Sequence, residues 1–169
     1  MGMKDISDQV LTRESIEELV RLKSLYPHRK SAILMVLHVI HRQFGYIERK
    51  ALIEASEIME LPLIDFDQAA SFYTYFPRKK MGKYHIQVCR TLSCYLNGAE
   101  DLVTYLKGKL AIEKGGISAD GLFSLVEVEC LGSCGTGPMM QINEDYHERL
   151  TMARIDQIIS ALNQKAGNG

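Results

Sequence analysis

No stretch of this chain approaches the roughly 20 consecutive apolar residues that a membrane span needs, so the sequence predicts no transmembrane segment. The first ten residues, Met1 to Val10, are polar and mixed in charge. They lack the apolar core of a signal peptide and the arginine-rich character of a transit peptide. Net charge is almost absent: a formal −1 over 169 residues supplies no global field to draw in nucleic acid or an anionic membrane. Low-complexity tracts and internal repeats are missing. So are a glycine-rich dinucleotide fingerprint, the Gly-Lys-Ser/Thr of a phosphate loop, and a nucleophile with an evident base. These absences predict a cytoplasmic chain made in a reducing compartment, with no nucleic-acid partner, no membrane span and no catalytic residues of its own.

Cysteine is also scarce, but its four copies are grouped. Cys89-x4-Cys94 and Cys130-x3-Cys134 form two tight pairs far apart in sequence. Each pair follows a β-like run, Tyr84 to Val88 and Phe123 to Glu129, which puts both on loops at strand ends. In a reducing compartment such pairs read as ligands before disulfides. Structural zinc favours C-x2-C knuckles, and a dithiol redox enzyme wants C-x-x-C at a helix start; neither is present. Plant-type ferredoxin spacing is absent too. The second loop, Cys130-Leu131-Gly132-Ser133-Cys134-Gly135-Thr136-Gly137-Pro138, is rich in glycine. That suits a backbone folding closely around a bulky iron–sulfur group with N–H donors near the sulfurs. On the residues alone, an iron–sulfur cluster and a zinc-stabilised scaffold both remain open.

The chain changes character midway. Helices are predicted at Ser15–Leu25 with Thr12 as N-cap, Ser31–Phe44 ending at Gly45, Arg49–Met59, and Asp65–Phe76 ending before Pro77. Residues 78–83 read as a short basic linker. A strand at Tyr84–Val88, a helix at Asn97–Leu110, a turn at Gly115-Gly116 and a strand at Phe123–Glu129 follow. A hairpin then joins Met139–Ile142 to Tyr146–Leu150, and a last helix is capped by Thr151. The expected fold class is α+β or α/β: an N-terminal helical bundle in residues 1–80, then a mixed-sheet domain in residues 81–169.

Other residues invite weaker readings. His38 and His41 share a helix face, but no carboxylate or cysteine stands near them in sequence, so packing is favoured over metal binding. His85 reads as a structural strand residue before a donor to the cysteines. Asp65 and Asp67 are ordinary acidic residues of a helix start. The aromatic segment Phe66, Phe72, Tyr73, Tyr75 and Phe76 reads as core, with part of it available to a partner. Met139 and Met140 read as strand core. Arg90, beside Cys89, either softens the charge of the site or faces solvent.

Val128-Glu129-Cys130-Leu131-Gly132-Ser133-Cys134, with Gly137-Pro138-Met139 and Ile142-Asn143, resembles the second ligand loop of the thioredoxin-like 2Fe–2S subunit of NADH:quinone oxidoreductase, respiratory complex I. Lys83 to Cys94 is similar to the family's first ligand loop. Ser71 to Phe76 and Phe44-Gly45-Tyr46-Ile47 are similar to its helical part, so the resemblance covers about residues 26 to 160. The departure is Gly137, where the family pattern leads one to expect alanine. The resemblance implies a thioredoxin-like ferredoxin domain holding one 2Fe–2S cluster, with Cys89 and Cys94 on one iron and Cys130 and Cys134 on the other. It implies a larger flavoprotein subunit as partner, bearing FMN and NADH, within the peripheral arm of a membrane-bound complex on the cytoplasmic side. An all-thiolate cluster carries net negative charge, so a low potential is expected, near the about −400 mV of plant-type clusters. Equivalent subunits of NAD-linked hydrogenases and formate dehydrogenases are the alternatives within the resemblance.

Overall fold

The structure is a computed structural model and describes residues 10–112 and 116–167. Gly115 of the predicted Gly115-Gly116 turn and the first nine residues of the polar N-terminal segment lie outside the described residues. Spatial contacts divide the chain into two compact units, Met1–Lys80 and Met81–Gly169.

Unit 1 is helical. Helix α1 (Arg13–Leu25) starts where the Thr12 hydroxyl accepts the Ser15 N–H at 3.2 Å, the predicted cap. Helix α2 spans Ile33–Phe44 and ends at Gly45. Ser31 does not cap it. A 3₁₀ turn at Arg29–Ala32 precedes the helix, and Ala32 takes the cap position without a side-chain bond. Helix α3 (Arg49–Met59) is followed by α4 (Leu63–Phe72), which ends four residues short of the predicted Phe76. Pro77 disfavours helix in the residue before it. The chain instead turns, with the Phe76 N–H donating to the Tyr73 carbonyl at 3.1 Å and the Pro77 carbonyl accepting the Ile47 N–H at 2.7 Å. The turn buries Phe76 and leaves Phe72, Tyr73 and Tyr75 exposed. Leu19, Leu37, Ile40, Leu52, Met59 and Phe66 form the centre of the core.

Unit 2 is built on a four-stranded sheet of order β2-β1-β3-β4, with strands β1 (Tyr84–Cys89), β2 (Phe123–Val128), β3 (Met140–Ile142) and β4 (Asp145–His147). The β1–β2 pair is parallel, and β1–β3 and β3–β4 are antiparallel. The register places Ile86 beside Leu125 and Ile142, and Val88 beside Met140. With a side-chain period of two, these residues share one face. They form one core with Leu102, Val103 and Leu106 of α6 (Ala99–Leu110) and Ile155, Ile158 and Ile159 of α7 (Met152–Gly167). Alternate positions carry His85, whose Nδ1 lies 2.9 Å from Ser124 Oγ, and Gln87, opposite Val126 and Gln141.

The helix predicted at Asn97–Leu110 forms as α6, and a short helix that the sequence did not announce precedes it. A short α5 (Leu92–Leu96) carries Cys94, and α6 starts only after Gly98 turns the chain at φ 89°. The second hairpin strand stops at His147 rather than Leu150, because Arg149 and Leu150 donate their N–H groups to Thr136 and Pro138 instead of extending the sheet. Thr151 caps α7, its hydroxyl accepting the Arg154 N–H at 3.1 Å.

Candidate metal centre

Parallel pairing of β1 and β2 brings the C-terminal ends of both strands, and hence both cysteine loops, to one edge of the sheet. The Arg90 N–H donates to the Val128 carbonyl at 3.0 Å, and the Cys89 N–H to the Met139 carbonyl at 3.2 Å. The first pair is buried: Cys89 ends β1, Cys94 sits in α5, and each is 1% exposed. They pack with Ala99 and Met139. The second pair is exposed, on the loop between β2 and β3, where Cys130 Sγ and Cys134 Sγ lie 3.5 Å apart.

The loops are bound to each other. Ser93 Oγ donates to the Cys134 carbonyl at 2.6 Å. Thr91 Oγ1 lies 3.3 Å from Cys89 Sγ and also hydrogen-bonds Cys130. The Leu131 N–H of the second loop reaches Cys89, and the Met139 N–H reaches Cys94. Gly132, at φ 82°, takes a left-handed conformation that other residues rarely adopt, and its N–H donates to Cys130 Sγ at 3.4 Å. Gly137, before the cis-bonded Pro138, lets the loop close on the buried pair, since a Cβ there would stand 3.3 Å from Cys94 Sγ. An alanine there would press on the Cys94 sulfur, which would have to give by a few tenths of an ångström. The β3–β4 hairpin holds the outside of the loop: Tyr146 donates its hydroxyl to the Leu131 carbonyl at 2.9 Å.

Each pair combines one thiol that ionises readily with one that does not. Burial opposes the Cys89 thiolate, but hydrogen bonds from the Thr91 hydroxyl and the N–H groups of Thr91 and Leu131 outweigh it and hold the thiol below its ordinary value. Burial, then the hydrogen bond to Cys89, pushes Cys94 up to about 11. The Gly132 N–H, followed by the Cys134 and Thr91 side chains, lowers Cys130. The bond to Cys130 and the charge of that neighbour raise Cys134. To hold a metal, both thiols of each pair would have to be thiolates, since the thiolate is the ligand form.

The donor set suits a binuclear all-thiolate group. A separation of 3.5 Å between Cys130 and Cys134 is close to the about 3.8 Å between two thiolates sharing a tetrahedral metal with bonds of about 2.3 Å. Among the described residues, no three His, Cys, Asp or Glu side chains close on one point as a single-ion site. The sulfurs meet as two pairs.

The other sequence candidates lie elsewhere. His38 packs edge-on to Phe76 and tilted to Tyr75, with centroids 5.1 Å from each, and His41 lies 5.3 Å from Tyr75. Asp65 pairs with Lys30 at 2.9 Å, and Asp67 with Arg49 at 2.5 Å and Arg78 at 2.7 Å. Met139 and Met140 are fully buried. Arg90 does not turn to the sulfurs: its Nε and Nη2 donate to Glu129 Oε1 at 3.0 and 2.5 Å. Thr91, Ser93, Tyr146 and Glu148, all in contact with the loops, are not among the residues the sequence singles out. Their type alone gives no sign, although Thr91 and Ser93 lie inside the first cysteine spacing.

The comparisons agree with this geometry. The profile of the family described as thioredoxin-like [2Fe-2S] ferredoxin matches residues 19–163. A subunit of the NADH-quinone oxidoreductase of Rhizobium meliloti (strain 1021) is 37% identical over 145 residues, covering 86% of each chain. NADH-quinone oxidoreductase subunit 2 of Thermus thermophilus is 41% identical over 135 residues, covering 79% of this chain and 75% of that one. Among solved structures, an NAD+-reducing [NiFe]-hydrogenase in the air-oxidized state superposes with a TM-score of 0.68 at 27% identity. The match covers 79% of this chain and only 23% of the hydrogenase chain, so this protein spans about a quarter of that neighbour's length. The family match over most of the chain, the mixed sheet and the relatives at 37–41% identity make one statement: the chain belongs to the thioredoxin-like [2Fe-2S] ferredoxin family.

Proposed function

We propose that Cys89, Cys94, Cys130 and Cys134 hold one [2Fe–2S] cluster, the buried pair on one iron and the exposed pair on the other. The chain is then an electron-transfer subunit of an NADH:quinone oxidoreductase, seated beside a flavoprotein subunit that bears FMN and binds NADH. The observation that carries the reading is the meeting of four thiols as two pairs on loops tied by Ser93, at the shared C-terminal ends of β1 and β2. When bound, the cluster supplies a site for one electron. The chain's own contribution is to supply the thiolates, shield one pair from water and aim backbone N–H groups at the sulfurs.

Residues 1–80 form the helical domain and residues 81–169 the cluster domain in this reading. No helix among the described residues is long and apolar enough to cross a membrane. A place in the peripheral arm, on the cytoplasmic side of a membrane-bound complex, agrees with that. The hydrogenase neighbour supports a second assembly, an NAD-linked hydrogenase, for the same cluster chain. Anaerobic purification with iron and sulfide analysis tests the cofactor: two irons and two labile sulfides per chain are expected, with an EPR signal on reduction. A colourless chain holding one zinc would refute it. Affinity capture under the same conditions tests the assembly, because a quinone-linked and a hydrogenase-linked flavoprotein bring different companions.

A further inference from the structure

The geometry points to Glu148 as a positioning residue for the exposed cysteine pair, one whose carboxylate also opposes reduction of the bound group. This inference rests on the cluster reading above. Glu148 follows β4, outside both cysteine motifs, and its side chain reaches the turn that carries Cys134. Ser133 Oγ and Thr136 Oγ1, which flank Cys134, both donate to Glu148 Oε1, the latter at 2.7 Å. Two hydroxyls thus converge on one acceptor oxygen, which has a lone pair for each.

The backbone serves the same end. Arg149 sits at φ 47°, a conformation that non-glycine residues adopt at a cost. That bend lets the Arg149 N–H donate to the Thr136 carbonyl at 2.8 Å while Glu148 faces the hydroxyls. The Leu150 N–H then takes the Pro138 carbonyl at 3.0 Å. Glu148 and Arg149 therefore clamp the 3₁₀ turn at Cys134–Thr136 from outside, and Leu150 holds the segment that follows it. The second pair is exposed and lacks the packing that holds Cys89 and Cys94, so its geometry depends on these bonds.

The same carboxylate places a negative charge beside a site that gains another on reduction. Glu148 is exposed, so salt screens the effect. The two roles separate by substitution. Glu148→Gln keeps an acceptor oxygen for Ser133 and Thr136 but removes the charge. Glu148→Ala removes both.

The experiment uses the full chain loaded with iron and sulfide. It reads the rate of cluster loss to a chelator from visible absorbance, and the midpoint potential from an EPR-monitored titration at low and high salt. Glu148→Ala is expected to lose its cluster severalfold faster than wild type and to have a raised potential. Glu148→Gln is expected to lose it at close to the wild-type rate, while the ratio of reduced to oxidised protein at fixed potential rises about threefold to tenfold, tenfold being 59 mV for one electron. High salt should shrink that rise. A loaded wild type with both variants indistinguishable from it overturns this inference alone. A wild-type chain that takes up no iron and sulfide overturns the cluster reading and this inference with it.

Discussion

Replacing Gly82 with alanine should destabilise unit 2 far more than a surface alanine normally would. Gly82 has an ordinary φ, so the constraint is space. A Cβ built there would meet the Phe123 carbonyl carbon at 2.5 Å, the Ser124 nitrogen at 2.8 Å and the Leu122 oxygen at 2.9 Å. All three are backbone atoms at the start of β2, and none swings aside as a side-chain tip does. Ordinary contact begins near 3.4 Å, so β1 and β2 must part by about 0.9 Å at this end. The displacement strains the Tyr84 N–H to Leu122 bond at 2.7 Å and the Lys83 N–H to Gly121 bond at 3.2 Å. Overpacking of this kind costs about 1–3 kcal/mol, and each lost bond adds about 0.5–1.5 kcal/mol. A total of about 2–4 kcal/mol should lower the melting temperature of a unit this size by roughly 10 °C or more, at about 4–8 °C per kcal/mol. Differential scanning calorimetry of the apo chain measures it. Gly108 gives a control of opposite sign. It lies within α6 with nothing within 4 Å of a built Cβ, so Gly108→Ala should stabilise by about 0.5–1 kcal/mol. A Gly82→Ala chain melting within about 2 °C of wild type, well short of the shift expected at this size, would refute the close approach of the two strands.

The thiols make a second prediction: in the apo chain near neutral pH, mass-spectrometric mapping of alkylation should find Cys130 modified first, being both exposed and lowered, and Cys94 last. The sign for stability follows from Cys94. Its folded pKa of about 11 lies above the unfolded value of about 8.5, so its contribution is complete below the unfolded value and is lost as pH rises towards 11. Denaturant titrations of the apo chain from about pH 8 to 11 should show that loss, and a Cys94→Ala chain should show less of it. Cys134→Ala should abolish the visible spectrum of the loaded chain while leaving the denaturation midpoint of the apo chain close to wild type, as for an exposed site. Arg90→Ala should leave the chemical-denaturation midpoint of the apo chain close to wild type, because its pair with Glu129 is exposed at both ends, 55% and 66%.

Helices and strands were legible where period and caps agreed. Thr12, Gly45 and Thr151 mark their helix ends as the sequence indicates, and the alternation of Tyr84 to Val88 gave a strand. The misreadings have local causes. The aromatic residues between Phe66 and Phe76 hid the turn that precedes Pro77 and buries Phe76. The five residues of α5, Leu92–Leu96, are too few to show a helical period, so that helix went unread. In the site, the cysteines announced themselves by grouping. The residues that hold their loops did not, because each acts across the chain: Ser93 on Cys134, Tyr146 on Leu131, Glu148 on Ser133 and Thr136. A serine or glutamate has too many uses for its type to reveal such a partner.

The two pairs are held by different physics, and that difference bears on how the site works in the proposed role. Cys89 and Cys94 are fixed by packing and by N–H groups from the opposite loop. Low dielectric there strengthens each of those bonds, and disfavours added negative charge on that side. Cys130 and Cys134 stand in solvent, on a loop held by hydrogen bonds and by the packing of Leu131 against the buried pair, and water and salt there weaken every charge interaction. If both pairs held one group, solvation by itself would favour added negative charge towards the exposed side. Arg90 adds no positive charge to that asymmetry, since it is taken up by Glu129, and the Glu148 carboxylate beside the exposed pair works against it. Burial of one pair and exposure of the other both follow from sheet topology: β1 lies between β2 and β3, while the second loop leaves the sheet at the end of β2, which pairs with no strand but β1 among the described residues.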